Sequence, residues 1–162
     1  MSARLSECLK FVLAWEGGRD DDPDDPGGRT AFGIIQREYS AWRRAHGEVA
    51  KDVWDISPDE VRAIYAQNYW IPMQCDGHTA PFDLVVFDSA VNCGNGRAVK
   101  WRTLAKAKWY LLGKRDGIPG LCRIYINMRE AYYHSIGDTG RLSKFLRGWL
   151  NRTAALRKEC GL

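Results

Sequence analysis

The sequence has no C-x-x-C pair, no H-E-x-x-H, no G-x-S-x-G and no phosphate-cradling glycine loop. Their absence removes the usual signatures of zinc, activated-serine and nucleotide chemistry. Histidine is scarce, and His46, His78 and His134 stand too far apart for metal or triad spacing. The five cysteines, Cys8, Cys75, Cys93, Cys122 and Cys160, are odd in number and widely spaced. They read as buried thiols of a reducing compartment, not as a disulfide framework. No apolar run is long enough to cross a bilayer. The apolar face from Leu5 to Trp15 is broken by Glu7 and Lys10, with no small-residue cleavage site after it, so no signal peptide is expected either. Neither a metal nor a cofactor is expected.

What is present fits a globular chain. With 162 residues, 45% of them hydrophobic and 27% charged, the composition predicts a single domain over 1–162, since ordinary domains hold roughly 100–200 residues. No repeat, linker or low-complexity tract divides it. The net charge of +4 conceals an asymmetry: residues 1–96 carry 9 Lys/Arg against 16 Asp/Glu, whereas residues 97–162 carry 15 against 4. A basic half with interleaved Trp and Tyr attracts a polyanion, either nucleic acid or anionic cell-wall polymer. The acidic half and the lack of any nucleic-acid-binding motif argue against the former.

Hydrophobic periodicity predicts a mainly α fold with at most a small β-hairpin near residues 19–35. Leu5, Leu9, Val12, Leu13 and Glu16 share one helical stripe, stopped by Gly17-Gly18. An acidic Asp, Pro and Gly loop follows, and Thr30 to Ile35 reads as extended. A helix over about 36–46 places Ile35, Tyr39 and Trp42 on one face. Ser57, Pro58 and Glu60 form a capping box ahead of Val61, Ile64 and Tyr65, and Pro72 ends that helix. Residues 82–92 are apolar nearly all round, the mark of a central helix closed by Gly94 and Gly96. Helices over about 97–112, 121–136 and 141–158 complete the chain. The last carries Leu142, Phe145, Leu146, Trp149, Leu150 and Leu156 at helical spacing.

A carboxyl group on the apolar stripe at the C-terminal end of a helix has two reasons to keep its proton, desolvation and the negative end of the helix dipole. Glu16 is therefore the candidate general acid. Asp25 follows nine residues later and Thr30 five after that, on a loop turning at Pro26-Gly27-Gly28. A carboxylic acid paired with an ionised carboxylate is the minimum equipment for glycoside hydrolysis through an oxocarbenium-like transition state. Asp25 would stabilise that charge or activate water, and Thr30 would hold the water. Calcium is the rival reading of the aspartate-rich loop, but Asp25 replaces the glycine and Ala31 the closing glutamate of an EF-hand.

Glu16-Gly17-Gly18, Asp22-Pro23, Asp25-Pro26-Gly27-Gly28, Thr30 and Gly33-Ile34 resemble the signature of the glycoside hydrolase family 108 muramidases, found largely as bacteriophage endolysins. Ile64-Tyr65 with Tyr69-Trp70, the stretch Phe87 to Gly94, and Asp116-Gly117-Ile118-Pro119-Gly120 extend the match, the last within a segment such families use to bind peptidoglycan. The resemblance implies a lysozyme-like helical enzyme, acting as a monomer, that cleaves the glycan strand of bacterial peptidoglycan with Glu16 as general acid and Asp25 and Thr30 in the roles above. Tyr69, Trp70, Asn92 and Phe32 are the expected substrate contacts, with Phe32 and Arg19 standing where other members carry aromatic hydroxyls. It further implies accumulation in the cytoplasm of an infected host until a separate permeabilising protein releases the enzyme. Alternatives are a lytic transglycosylase on the same substrate, which needs one acid and no water-activating carboxylate, and a non-catalytic module that binds wall or nucleic acid.

Overall fold

The computed structural model describes residues 3–21, 28–138 and 140–162. Its fold is mainly helical and lysozyme-like, with seven α-helices and one small sheet among the described residues. Two compact units follow each other along the chain, Met1–Asn68 and Tyr69–Leu162. The charge break at residue 96 is not a structural boundary, since it falls inside the second unit.

In the first unit, α1 (Ala3–Leu13) buries Leu5, Cys8, Leu9 and Val12. It stops sooner than its stripe implies, for the Trp15 N–H turns back onto the Val12 carbonyl three residues earlier at 3.0 Å, which tightens and ends the last turn. Glu16 thus sits beyond the helix, half-buried in a bend, and does not lie on its face. The expected hairpin is a three-stranded antiparallel sheet of β1 (Arg19–Asp20), β2 (Thr30–Ala31) and β3 (Ile34–Ile35). Arg19 pairs with Ala31 and Asp20 with Thr30, while Thr30 pairs with Ile35 and Ala31 with Ile34.

Helices α2 (Gln36–Ala45) and α3 (Pro58–Tyr65) meet through the predicted capping box. The Ser57 N–H donates to Glu60 at 2.7 Å and the Glu60 N–H donates to the Ser57 hydroxyl at 3.3 Å. Glu60 also accepts from the Tyr39 hydroxyl at 2.8 Å and pairs with Arg43, so the capping residue ties α2 to α3. Burial alone would raise its carboxyl, but hydrogen bonds from Ser57 and Tyr39 and the nearby Lys51 bring it down to about 2. A carboxylate depressed in the folded state contributes stability that is complete above its unfolded value, roughly 4.3, and is lost as pH falls toward the folded one. Glu60→Gln is therefore expected to cost on the order of 3 kcal/mol at pH 7 and much less near pH 2. Chemical denaturation of both proteins across that range measures it, and a pH-independent difference would remove the carboxylate as the cause.

In the second unit, α4 (Phe82–Cys93) is buried from Phe82 to Ala90 and packs on α5 (Asn95–Leu111) and α6 (Gly117–Gly137), with α6 against α7 (Ser143–Glu159). Gly94 ends α4 at φ 83°, but Gly96 belongs to α5. The Gly117-Ile118-Pro119-Gly120 run is the first turn of α6 and not a loop before it, because proline is tolerated where helical N–H groups lack partners anyway. Gly120 is needed there: a Cβ would come within 2.2 Å of the Arg115 carbonyl oxygen. Leu142 precedes α7 and is exposed, as is Phe145, so the buried part of that stripe begins near Arg152, Thr153 and Leu156.

Candidate active site

The site is built around the turn between β2 and β3. Phe32 and Gly33 are its two central residues, at φ 52° and 71°. Positive φ at both is the signature of a type I′ hairpin turn, which matches strand twist but is costly for a bulky side chain at the first position. The Tyr65 hydroxyl, brought in by the buried face of α3, donates to the Phe32 carbonyl oxygen at 2.7 Å and holds the strained residue in place.

Gly33 lets two polar side chains approach one another. A Cβ there would lie 3.1 Å from Glu16 Oε2 and 3.1 Å from the Tyr65 hydroxyl, so the bare glycine leaves room for both groups against the turn. Glu16, Gly33 and Tyr65 thus form one cluster. Gly33 enters the sequence reading only through the family signature, and Tyr65 only as a core residue, which it also is. The available hint is that a tyrosine on a buried helix face needs a partner for its hydroxyl. Gly33→Ala is expected to lower kcat/KM on the order of tenfold or more, because it combines a disfavoured φ with displacement of the Glu16 carboxylate. Activity at the wild-type level in a folded variant would show that the close approach is immaterial.

Thr30 lies on β2, and its hydroxyl donates to the Gly28 carbonyl at 3.2 Å, which leaves its oxygen lone pairs to accept from another group. Phe32 is 42% exposed, and its ring borders an apolar cavity of about 270 Å³ walled by Leu9, Leu13 and Val61 with Lys10 and Arg62 among its lining. Trp15, beside Glu16 in the chain, is 36% exposed and was not singled out from the sequence. Arg19 takes a structural part, donating to the Trp54 carbonyl at 2.6 Å with its guanidinium 5.9 Å from that ring. Asp25 lies outside the described residues, as do Asp22 and Asp24.

The other expected contacts belong to the second unit. Tyr69 is half-buried. Trp70 is only 2% exposed and stands edge-on to Phe87 with ring centroids 5.3 Å apart, so it is a core residue with no face left for a sugar. Asn92 is half-buried, and its side-chain oxygen accepts from Tyr133 and, at 3.3 Å, from Arg129. It lines a hollow of about 150 Å³ with Arg97, Tyr132, Tyr133 and Trp149. Among the described residues no group of three or more His, Cys, Asp or Glu is placed to hold a metal, and no helix is long and apolar enough to cross a membrane.

A lysozyme-like helical fold with a glutamate set against a strained hairpin turn is the frame of a glycoside hydrolase. The chain belongs to the Glycosyl hydrolase 108 family, whose sequence model matches residues 9–94 and so takes in Glu16, Gly33 and Tyr65. It is similar to a solved structure of Brucella abortus SagA, at 27% identity and a TM-score of 0.73, over 97% of this chain and 93% of that one. No curated protein sequence matches it.

Proposed function

We propose that this protein is an N-acetylmuramidase, cleaving the β-1,4 bond between N-acetylmuramic acid and N-acetylglucosamine in bacterial peptidoglycan. The observation that carries the reading is the Glu16 carboxylate packed against the Phe32-Gly33 turn within the family match. Glu16 gives its proton to the glycosidic oxygen as the bond breaks, and a carboxylate on the opposite side stabilises the oxocarbenium charge or activates water. The sequence assigns that second role to Asp25. Thr30, with its lone pairs available, accepts from the water. The exposed rings of Trp15 and Phe32 offer faces for pyranose stacking. On the second unit, Tyr69 and Asn92 are the proposed sugar-facing residues, and the basic excess of residues 97–162 draws the enzyme to anionic wall polymer. Lysis of an infected host, with a separate protein opening the membrane, is the proposed setting.

Digestion of purified peptidoglycan followed by mass identification of the new sugar ends tests the reading. Reducing N-acetylmuramic acid ends are expected. Anhydro ends would instead establish a lytic transglycosylase, reducing N-acetylglucosamine ends a glucosaminidase, and intact strands a protein that binds wall without cutting it.

A further inference from the structure

A hollow of about 220 Å³ in the second unit is lined in part by His78, Phe82, Lys106, Trp109, Tyr110 and Lys114. Two nitrogens there, Trp109 Nε1 and His78 Nε2, are buried and have no hydrogen-bond partner among the described residues. An unpaired buried indole N–H is costly unless something else takes the bond. The cations are equally unmatched. Lys106 Nζ lies 5.8 Å from the Phe82 ring centre and Lys114 Nζ lies 4.8 Å from that of Tyr110. Neither lysine has a carboxylate within ion-pair distance among the described residues. Burial, Lys106 and Arg102 hold His78 below the ordinary imidazole range against the opposing pull of Asp83, and burial and Arg102 hold Lys106 low as well. Burial is the larger cause of both shifts, and the neighbouring cations add to it.

The backbone is bent to produce this arrangement. Gly113, Lys114, Asp116 and Gly117 all have φ between 56° and 66°, two of them with side chains that disfavour it. The result carries Lys114 over Tyr110 and Trp109, while Asp116 is turned onto Arg123 and the first turn of α6 keeps no free acidic side chain. Lys106, Lys114, Trp109 and His78 thus line one polar hollow, smaller than the roughly 300–1,000 Å³ of a drug-sized pocket. A carboxylate has two oxygens to share among them, whereas a phosphate presents more acceptors over a tetrahedron and satisfies donors from several sides.

We propose that this hollow is a binding site for a phosphate group, carried as a monoester or a diester on a small substituent. The site is independent of Glu16, so failure of the muramidase reading would leave it standing, and the reverse holds.

The test is a titration of ¹⁵N-labelled full-length protein at constant ionic strength, following the Trp109 indole N–H signal identified with Trp109→Phe. Inorganic phosphate, glycerol 3-phosphate and glycerophosphoglycerol are the probes, with acetate as the carboxylate comparison. A saturable shift with the phosphate probes is expected, weakened on the order of tenfold by Lys106→Met, which keeps an apolar stem beside Phe82. Preference for glycerol 3-phosphate would identify a monoester site and preference for glycerophosphoglycerol a diester site. Equal response to acetate would overturn the assignment to phosphate. Absence of saturation, or unchanged binding in Lys106→Met and Lys114→Met proteins whose spectra show them folded, would overturn the site.

Discussion

Glu16→Gln is expected to lower the rate of peptidoglycan cleavage by roughly 10²–10⁴-fold, the range that a positioned general acid contributes. Glutamine keeps the size and polarity that fit against Gly33 but carries no acidic proton and cannot ionise. Glu16 stands after the end of α1 in a half-buried bend and glutamine keeps its volume there, so stability is expected to move far less than the rate. The pairing of a large rate loss with a small stability loss is the informative result. Solubilised reducing ends per unit time, measured beside a denaturation curve, gives both numbers. A folded glutamine variant within about tenfold of wild type would transfer the acid role to another residue, because no conservative loss of a general acid is that small.

What the sequence made legible here follows from how local each signal is. The capping box at Ser57 and Glu60 and the all-apolar α4 could be read because each is set by residues within one or two turns. Glu16 stands three residues beyond the last helical position instead of on the helix face, since the periodic stripe continues past the point where the Trp15 N–H closes the helix. The early start of α6 was missed because Asp-Gly and Pro-Gly pairs normally mark turns, and only the close approach of the Arg115 carbonyl to Gly120 shows how the chain uses them. Tyr65 and Trp70 are equally buried, at 2% exposure each. What separates the two is the partner each finds, which aromatic type does not reveal, a strained carbonyl for one and Phe87 for the other.

Asp88→Asn is the substitution expected to be most damaging to the second unit, at about 3–5 kcal/mol. Asp88 is fully buried between two arginines that are themselves buried. Arg129 Nη1 reaches Asp88 Oδ2 at 2.5 Å, while Arg152 donates from Nε to Oδ1 at 2.8 Å and holds its Nη2 2.7 Å from the same oxygen as an ion pair. Burial pushes the Asp88 carboxyl up, but the two guanidinium groups outweigh it and hold it below the ordinary range. Asparagine preserves the shape and withdraws the charge, which leaves two buried cations against one neutral amide. The sign with pH is fixed by the same shift: the carboxylate contributes fully above its unfolded value near pH 4 and loses that contribution as pH falls below it, so the gap between variant and wild type should narrow in acid. Replacing Asp88, Arg129 and Arg152 together by apolar residues of matching volume is expected to cost less than the single change, since no charge is then stranded. Denaturation of the three proteins separates charge from packing, and a single variant within about 1 kcal/mol of wild type would mean that the remaining partners of Arg129 are sufficient alone. Those partners are the Ser89 hydroxyl at 3.0 Å, the Tyr133 hydroxyl at 2.6 Å and the Asn92 oxygen. Three residues of the Phe87-to-Gly94 stretch thus converge on one arginine, and that part of the family resemblance is explained by the burial of a charge before any sugar is invoked.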